Sequence, residues 1–93
     1  MGNTFFENKR KQHLKKKITK LEAKARHTYT YILTLQKDVQ ESENQLSKSI
    51  SEKDFDYWER RRDNCKARVD TSTKKAKNLQ EKIATLNAIL SQL

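Results

Sequence analysis

The stretch LSKSISEKDFDYW, residues 46–58, is where the apolar pattern of the chain changes phase. Upstream of it, apolar or small residues recur in alternating steps of four and three: Leu14, Ile18, Leu21, Ala25, Thr28, Ile32, Leu35, Val39, Ser42, Leu46 and Ser49. That spacing is a coiled-coil seam. Downstream, a second ladder runs Phe55, Trp58, Arg62, Cys65, Val69, Ser72, Ala76, Leu79, Ile83, Leu86, Leu90 and Leu93. Continuing the first ladder would place Lys53, Asp56, Arg60 and Asp63 on the seam, all of them charged, so one continuous rod is disfavoured. The local chemistry puts the break inside the quoted stretch. Ser51 with Asp54 three residues on has the arrangement of a capping box, and Ile50 and Phe55 occupy the hydrophobic-staple positions around it.

The predicted organisation is a flexible basic segment over 1–10, then a helical hairpin over 11–93, with a helix over 11–50, a turn about residue 51 and a helix over 52–93. The fold class is all-α: two long helices in an antiparallel coiled-coil hairpin, pairing further into a four-helix bundle or hetero-assembly. Folding back at the turn sets Leu14 opposite Leu90, Ile18 opposite Leu86, Leu21 opposite Ile83, Leu35 opposite Val69 and Leu46 opposite Trp58. Large residues meet small ones at Ala25 with Leu79, Ile32 with Ser72 and Ser49 with Phe55. Arg62 falls opposite Ser42 with Glu41 and Glu43 near it, a polar layer that would fix register. The turn holds neither glycine nor proline, which leaves a straight helix in a larger assembly as the alternative.

Composition agrees with a thin, all-helical molecule. The 93 residues include no proline and one glycine, Gly2, and 35% are charged against 33% hydrophobic, too few apolar residues for a large globular core. The apolar run from Tyr29 to Leu35 is far short of the ~20 residues of a membrane span, so a soluble, cytoplasmic protein without a membrane partner is expected. Cys65 has no second cysteine to pair with, and with His13 and His27 it makes no recognisable metal-ligand set. The start Met1-Gly2-Asn3-Thr4 resembles an N-myristoylation signal, but Phe6 stands where Ser or Thr is wanted, and lipidation is not expected.

Charge is segregated along the chain. Residues 1–30 carry a net charge of plus seven, residues 31–60 of minus three and residues 61–93 of plus five. A hairpin lays the first and third segments side by side, giving a rod with a basic open end and a mildly acidic tip. Lys24 and Lys82 should then face each other, while Asp38 can approach Arg68 nearer the tip. The expected polyanion-binding residues are Lys9, Arg10, Lys11, Lys15, Lys16, Lys17, Lys20, Lys24 and Arg26 of the first helix, with Lys74, Lys75, Lys77 and Lys82 of the second. No aromatic residue is interleaved among them, so nucleic-acid binding would be directed at the backbone rather than the bases.

A second contact surface is expected at Tyr29, Tyr31 and Leu33, off the seam, with Tyr57 exposed at the tip. On that reading Tyr31→Glu disrupts association and leaves helicity intact. No catalytic residues and no cofactor are expected, because no nucleophile and base share a preorganised pocket and no glycine-rich phosphate loop is present. The function expected is that of a non-enzymatic coiled-coil adaptor or assembly protein. It would bind a protein partner, or itself as a homodimer, through its seam and the Tyr29–Leu35 face, with its basic end on an acidic surface. The alternatives are a sequence-tolerant RNA- or DNA-binding hairpin and a small chaperone or stalk of an export apparatus. In architecture alone the chain resembles small dimeric RNA-binding hairpins of the plasmid copy-control type and the antiparallel coiled-coil stalks of type III export machines. Its Met-Gly-Asn start and basic hairpin are also similar to membrane-remodelling subunits of the endosomal sorting type, without their acidic C-terminal part.

Overall fold

Long runs of lysine, glutamate, glutamine, alanine and leucine without an internal glycine or proline sustain long helices, and that is what forms. A computed structural model describes residues Asn3–Leu93 and contains two α-helices, α1 (Asn3–Lys48) and α2 (Glu52–Ser91), packed side by side as an extended hairpin. The expected antiparallel hairpin is therefore the fold. Its Cα trace measures 76 × 14 × 14 Å. Among the described residues no helix is long and apolar enough to cross a membrane. Gly2, the residue a myristoyl chain would modify, lies outside the described residues.

The helix bounds differ from expectation at the first helix. Helix α1 is already formed at Asn3, so most of the basic segment placed before residue 11 is helical. The cause is continuity: from Phe5 onward nothing interrupts helix propensity, and Lys11, one step before Leu14 on the ladder, is half-buried like a seam residue. Helix α1 ends at Lys48, two residues before the expected end.

The turn uses the cap but not the staple. Ser51 is extended, with φ −116° and ψ 148°. Its Oγ accepts a hydrogen bond from the Asp54 N–H at 3.2 Å, and its carbonyl accepts from the Phe55 N–H at 3.1 Å. Ile50 is 100% exposed and Phe55 is 44% exposed, so the expected contact between them is absent. Three non-helical residues close the hairpin, and that tight path turns Ile50 outward instead of back over α2. Ser51→Ala should lower stability by about 0.5–2 kcal/mol. Ile50→Ala should change it by less than about 0.5 kcal/mol, the behaviour of a surface position. Urea unfolding of the two variants checks both, and equal losses would show that the staple forms in solution.

The seam is the core. Every residue of the first ladder is buried or half-buried, and so is every residue of the second except Phe55. At the open end Ile18, Ala25, Leu79 and Ile83 form a buried cluster, with Leu21, Leu86 and Leu90 packed on it, which is the expected register. Polar residues at the seam are satisfied locally. Thr28 Oγ1 donates to the Lys24 carbonyl at 2.9 Å and Ser42 Oγ to the Asp38 carbonyl at 2.8 Å, so neither buried hydroxyl opposes helix pairing. Cys65 is a small buried seam residue.

The layer at Arg62 forms differently from the expected one. Arg62 Nε donates to Asp63 Oδ1 at 3.1 Å, and Glu43 turns instead to Lys66, 3.6 Å away. The guanidinium reaches outward to its neighbour in α2, its stem half-buried beside Ser42, because a long side chain can bury its methylenes while its charge stays in water.

Candidate functional site: a basic face

Two helices packed along a seam make a ribbon with two broad faces, each built from the rows that flank the seam. Heptad position assigns Lys17, Lys24, Tyr31 and Asp38 of α1 to one face, together with Arg61, Arg68, Lys75 and Lys82 of α2. The other receives Lys15, Glu22, Tyr29, Gln36 and Glu43 of α1, with Glu59, Lys66, Thr73, Gln80 and Asn87 of α2. The first is basic and the second mixed. Charge segregation by sequence segment, evident from the chain alone, is thus accompanied by segregation between faces.

On the basic face a shallow groove follows the seam through the open half. One section is lined by Lys24, His27 and Thr28 of α1 and by Thr71, Lys74, Lys75 and Lys82 of α2. The next, toward the open end, is lined by Lys17, Asn78, Glu81, Lys82 and Thr85 over Leu21 and Leu86. The shoulder of α1 adds His13, Lys16 and Lys20 beside Lys17 and Lys24. Lys24 and Lys82 share one groove, as the register requires. Glu81 is the one carboxylate lining these three sections.

Toward the tip the same face is lined by Asp38, Tyr57, Arg60, Arg61 and Arg68 over Leu35 and Cys65. Asp38 and Arg68 share this groove, but among the described residues the ion pair that links the two helices is Lys66 with Glu43 on the opposite face. Tyr57 and Trp58 meet edge to face, ring centroids 5.0 Å apart, and the Arg61 guanidinium lies 6.0 Å from the Trp58 ring centroid. Tyr57 also favours the charged form of Arg61, raising its pKa. These contacts hold an arginine in the line of the lysines.

The thirteen expected polyanion-binding residues therefore divide. Lys17, Lys20, Lys24, Lys75 and Lys82 belong to the basic face, with Arg10 continuing the row by heptad position, and Lys16 and Lys74 form its rims. Lys9 lies on the outer side of α1 and Lys11 on the seam, while Lys15, Arg26 and Lys77 belong to the other face. Arg61 and Arg68 extend the basic row and were not among the residues expected from sequence. Their signal was legible, since both occupy the same heptad position as Lys75 and Lys82.

The aromatic surface divides as well. Tyr29, Tyr31 and Leu33 are all exposed, at 45%, 46% and 60%, but they do not make one face. Residues two apart on a helix point in widely different directions, so Tyr29 and Leu33 share the mixed face while Tyr31 borders the basic groove. The seam, expected to receive a partner, is closed within the chain. Tyr57 is exposed at the tip, as expected.

No protein-family model matches the chain, and no curated protein or solved structure matches it.

Proposed function

We propose that the protein is a non-enzymatic coiled-coil adaptor, a straight rod that docks its basic face on an anionic partner. One observation carries this reading: lysines from both helices converge on one groove, where Lys24, Lys75 and Lys82 line a single section with no carboxylate among its lining residues. Like charges held together repel at a cost to the folded state, and an anion laid along the groove relieves that repulsion. A narrow rod needing only solubility would gain as much from the same lysines scattered around both helices, without the repulsion.

An acidic protein surface and a nucleic-acid backbone both fit this chemistry. The adaptor reading takes the acidic protein surface, because the row is mainly lysine, which acts as a point charge rather than as the planar fork that recognises phosphate. The extension of the row through Arg68 and Arg61 toward the tip supports the nucleic-acid reading, since it lengthens the face to suit an extended polyanion.

The test is a salt titration of binding to three probes: poly-glutamate, duplex RNA and duplex DNA. The adaptor reading expects poly-glutamate to bind at least as tightly as either duplex. Tighter duplex binding, with log affinity falling steeply and linearly with log salt, would replace it with the nucleic-acid reading. Absence of binding to all three at low salt would overturn both.

A further inference from the structure

The mixed face has a charge order of its own. Its tip half carries Glu43, Glu59, Asp63 and Asp70 against the one base Lys66, while its open half carries Lys15, Arg26 and Lys77 against the one acid Glu22. Between the halves lie Tyr29 and Leu33, both exposed. A groove lined by Glu22, Ala25, Arg26, Tyr29, Gln80 and Asn87 runs along it. An excess of acid at one end, an excess of base at the other and an aromatic near the middle make a surface complementary to its own reversed copy.

From this we infer that the protein is a homodimer in which two hairpins stack mixed face to mixed face, antiparallel, about a two-fold axis passing beside Tyr29 and Thr73. A two-fold axis lying in the interface sets α1 against α1 and α2 against α2 of the second copy, each pair reversed. Placed at Tyr29, the axis brings Lys15 opposite Glu43 of the second copy and Glu22 opposite its Gln36. Placed at Thr73, half a turn away or less, it brings Lys66 opposite Gln80 and Glu59 opposite Asn87. None of these pairs joins like charges. Ile50, fully exposed beside the turn, comes level with the Leu93 of the second copy.

The competing arrangements are worse. Parallel stacking through the same face sets Glu43 against Glu59 and gathers the acidic tips together. Stacking through the basic face sets lysine rows on lysine rows. The axis lies near the middle of a rod 76 Å long, so the two copies overlap over almost their whole length. Such an overlap covers on the order of 1,000 Å² per copy, above the ~800 Å² per partner of a standard stable interface. The dimer leaves both basic faces outward on opposite sides, so a docking rod becomes a bridge between two anionic surfaces. The inference stands independently of what the basic face binds.

Light scattering during size exclusion of the full chain should give twice the 11.0 kDa chain mass. Lys15→Glu and Glu43→Lys, each made alone, should weaken the dimer on the order of tenfold, because each creates two like-charge pairs across the axis. Mixing the two single variants should restore dimerisation as a heterodimer. The acid introduced at position 15 of one chain then meets the base introduced at position 43 of the other, and the remaining pair is native. A role for Glu43 confined to its own chain, through Lys66, predicts no rescue on mixing. Tyr29→Glu should yield a monomer whose circular dichroism remains helical. A wild-type chain that stays monomeric up to 100 µM, a concentration chosen for the test, would overturn the inference. So would a dimer that both single charge variants leave unchanged.

Discussion

Leu79→Ala is expected to destabilise the hairpin by ~2–5 kcal/mol, the range for removing a buried leucine side chain. Leu79 is 7% exposed and belongs to the buried cluster with Ile18, Ala25 and Ile83. Its partner across the seam is Ala25, 2% exposed, a residue with no side chain long enough to fill the space left behind. The layer would become alanine against alanine, with the α1 and α2 backbones held apart by Leu21 and Ile83 in the adjoining layer. Cost depends on how well a site can collapse, and this one cannot collapse without bending both helices. Urea unfolding followed at 222 nm at a fixed chain concentration measures it, and a loss below 1 kcal/mol would show that this layer is not packed in solution. Trp58→Ala makes the comparison. From its place on the ladder Trp58 should cost as much as Leu79, yet it is only half-buried next to the exposed Phe55, so its truncation is expected to cost less.

These two residues show what the sequence could and could not convey. Ladder spacing identifies the seam, because position on a helix is fixed by residue number, and Trp58 and Leu79 are equally clear in it. Depth of burial depends on what lies beyond the seam, and at the tip little does. The cap at Ser51 was legible because it is a contact over three residues. The staple failed because it depends on the path of the chain through the turn, which residue types alone do not set. The basic face was half legible: the run of lysines announces charge, but lysines next to one another in sequence, such as Lys15, Lys16 and Lys17, go to different sides of the helix. Only the rows beside the seam reveal that Lys17 joins Lys24, Lys75 and Lys82, while Lys15 joins Glu22 and Glu43 on the opposite face. The same geometry separates Tyr31 from Tyr29, so the contact test expected at Tyr31 is better made at Tyr29.

The lysine groove supports a prediction in which stability and binding move in opposite directions. The double substitution Lys24→Glu with Lys75→Glu should abolish measurable binding of the anionic probe at physiological salt while leaving the hairpin as stable as before or slightly more so. In the native chain Lys24, Lys75 and Lys82 line one groove section, and each pair of like charges there opposes folding. Substituting Lys24 gives Lys82 an acidic neighbour across the seam, a change worth a few tenths of a kcal/mol, up to about 1 kcal/mol, for exposed groups. Substituting Lys75 places a second acid in the same groove, near Lys74 and Arg68. For the anion the same changes replace two attractions with two repulsions. Binding that releases about one counterion per contact should lose at least two units from its log-log salt slope. A lysine row that served only solubility would predict the gain in stability and no change in binding of any anion beyond that of an equal charge reversal elsewhere. The control is therefore Lys9→Glu with Lys37→Glu, which makes the same change in net charge on the outer side of α1, away from both faces. If the control weakens binding as much as the groove variant does, attraction belongs to the net charge of the rod and the basic face is not a site. A groove variant that alone loses the anion and keeps its melting temperature would establish that the lysines are held together, against their mutual repulsion, for a ligand.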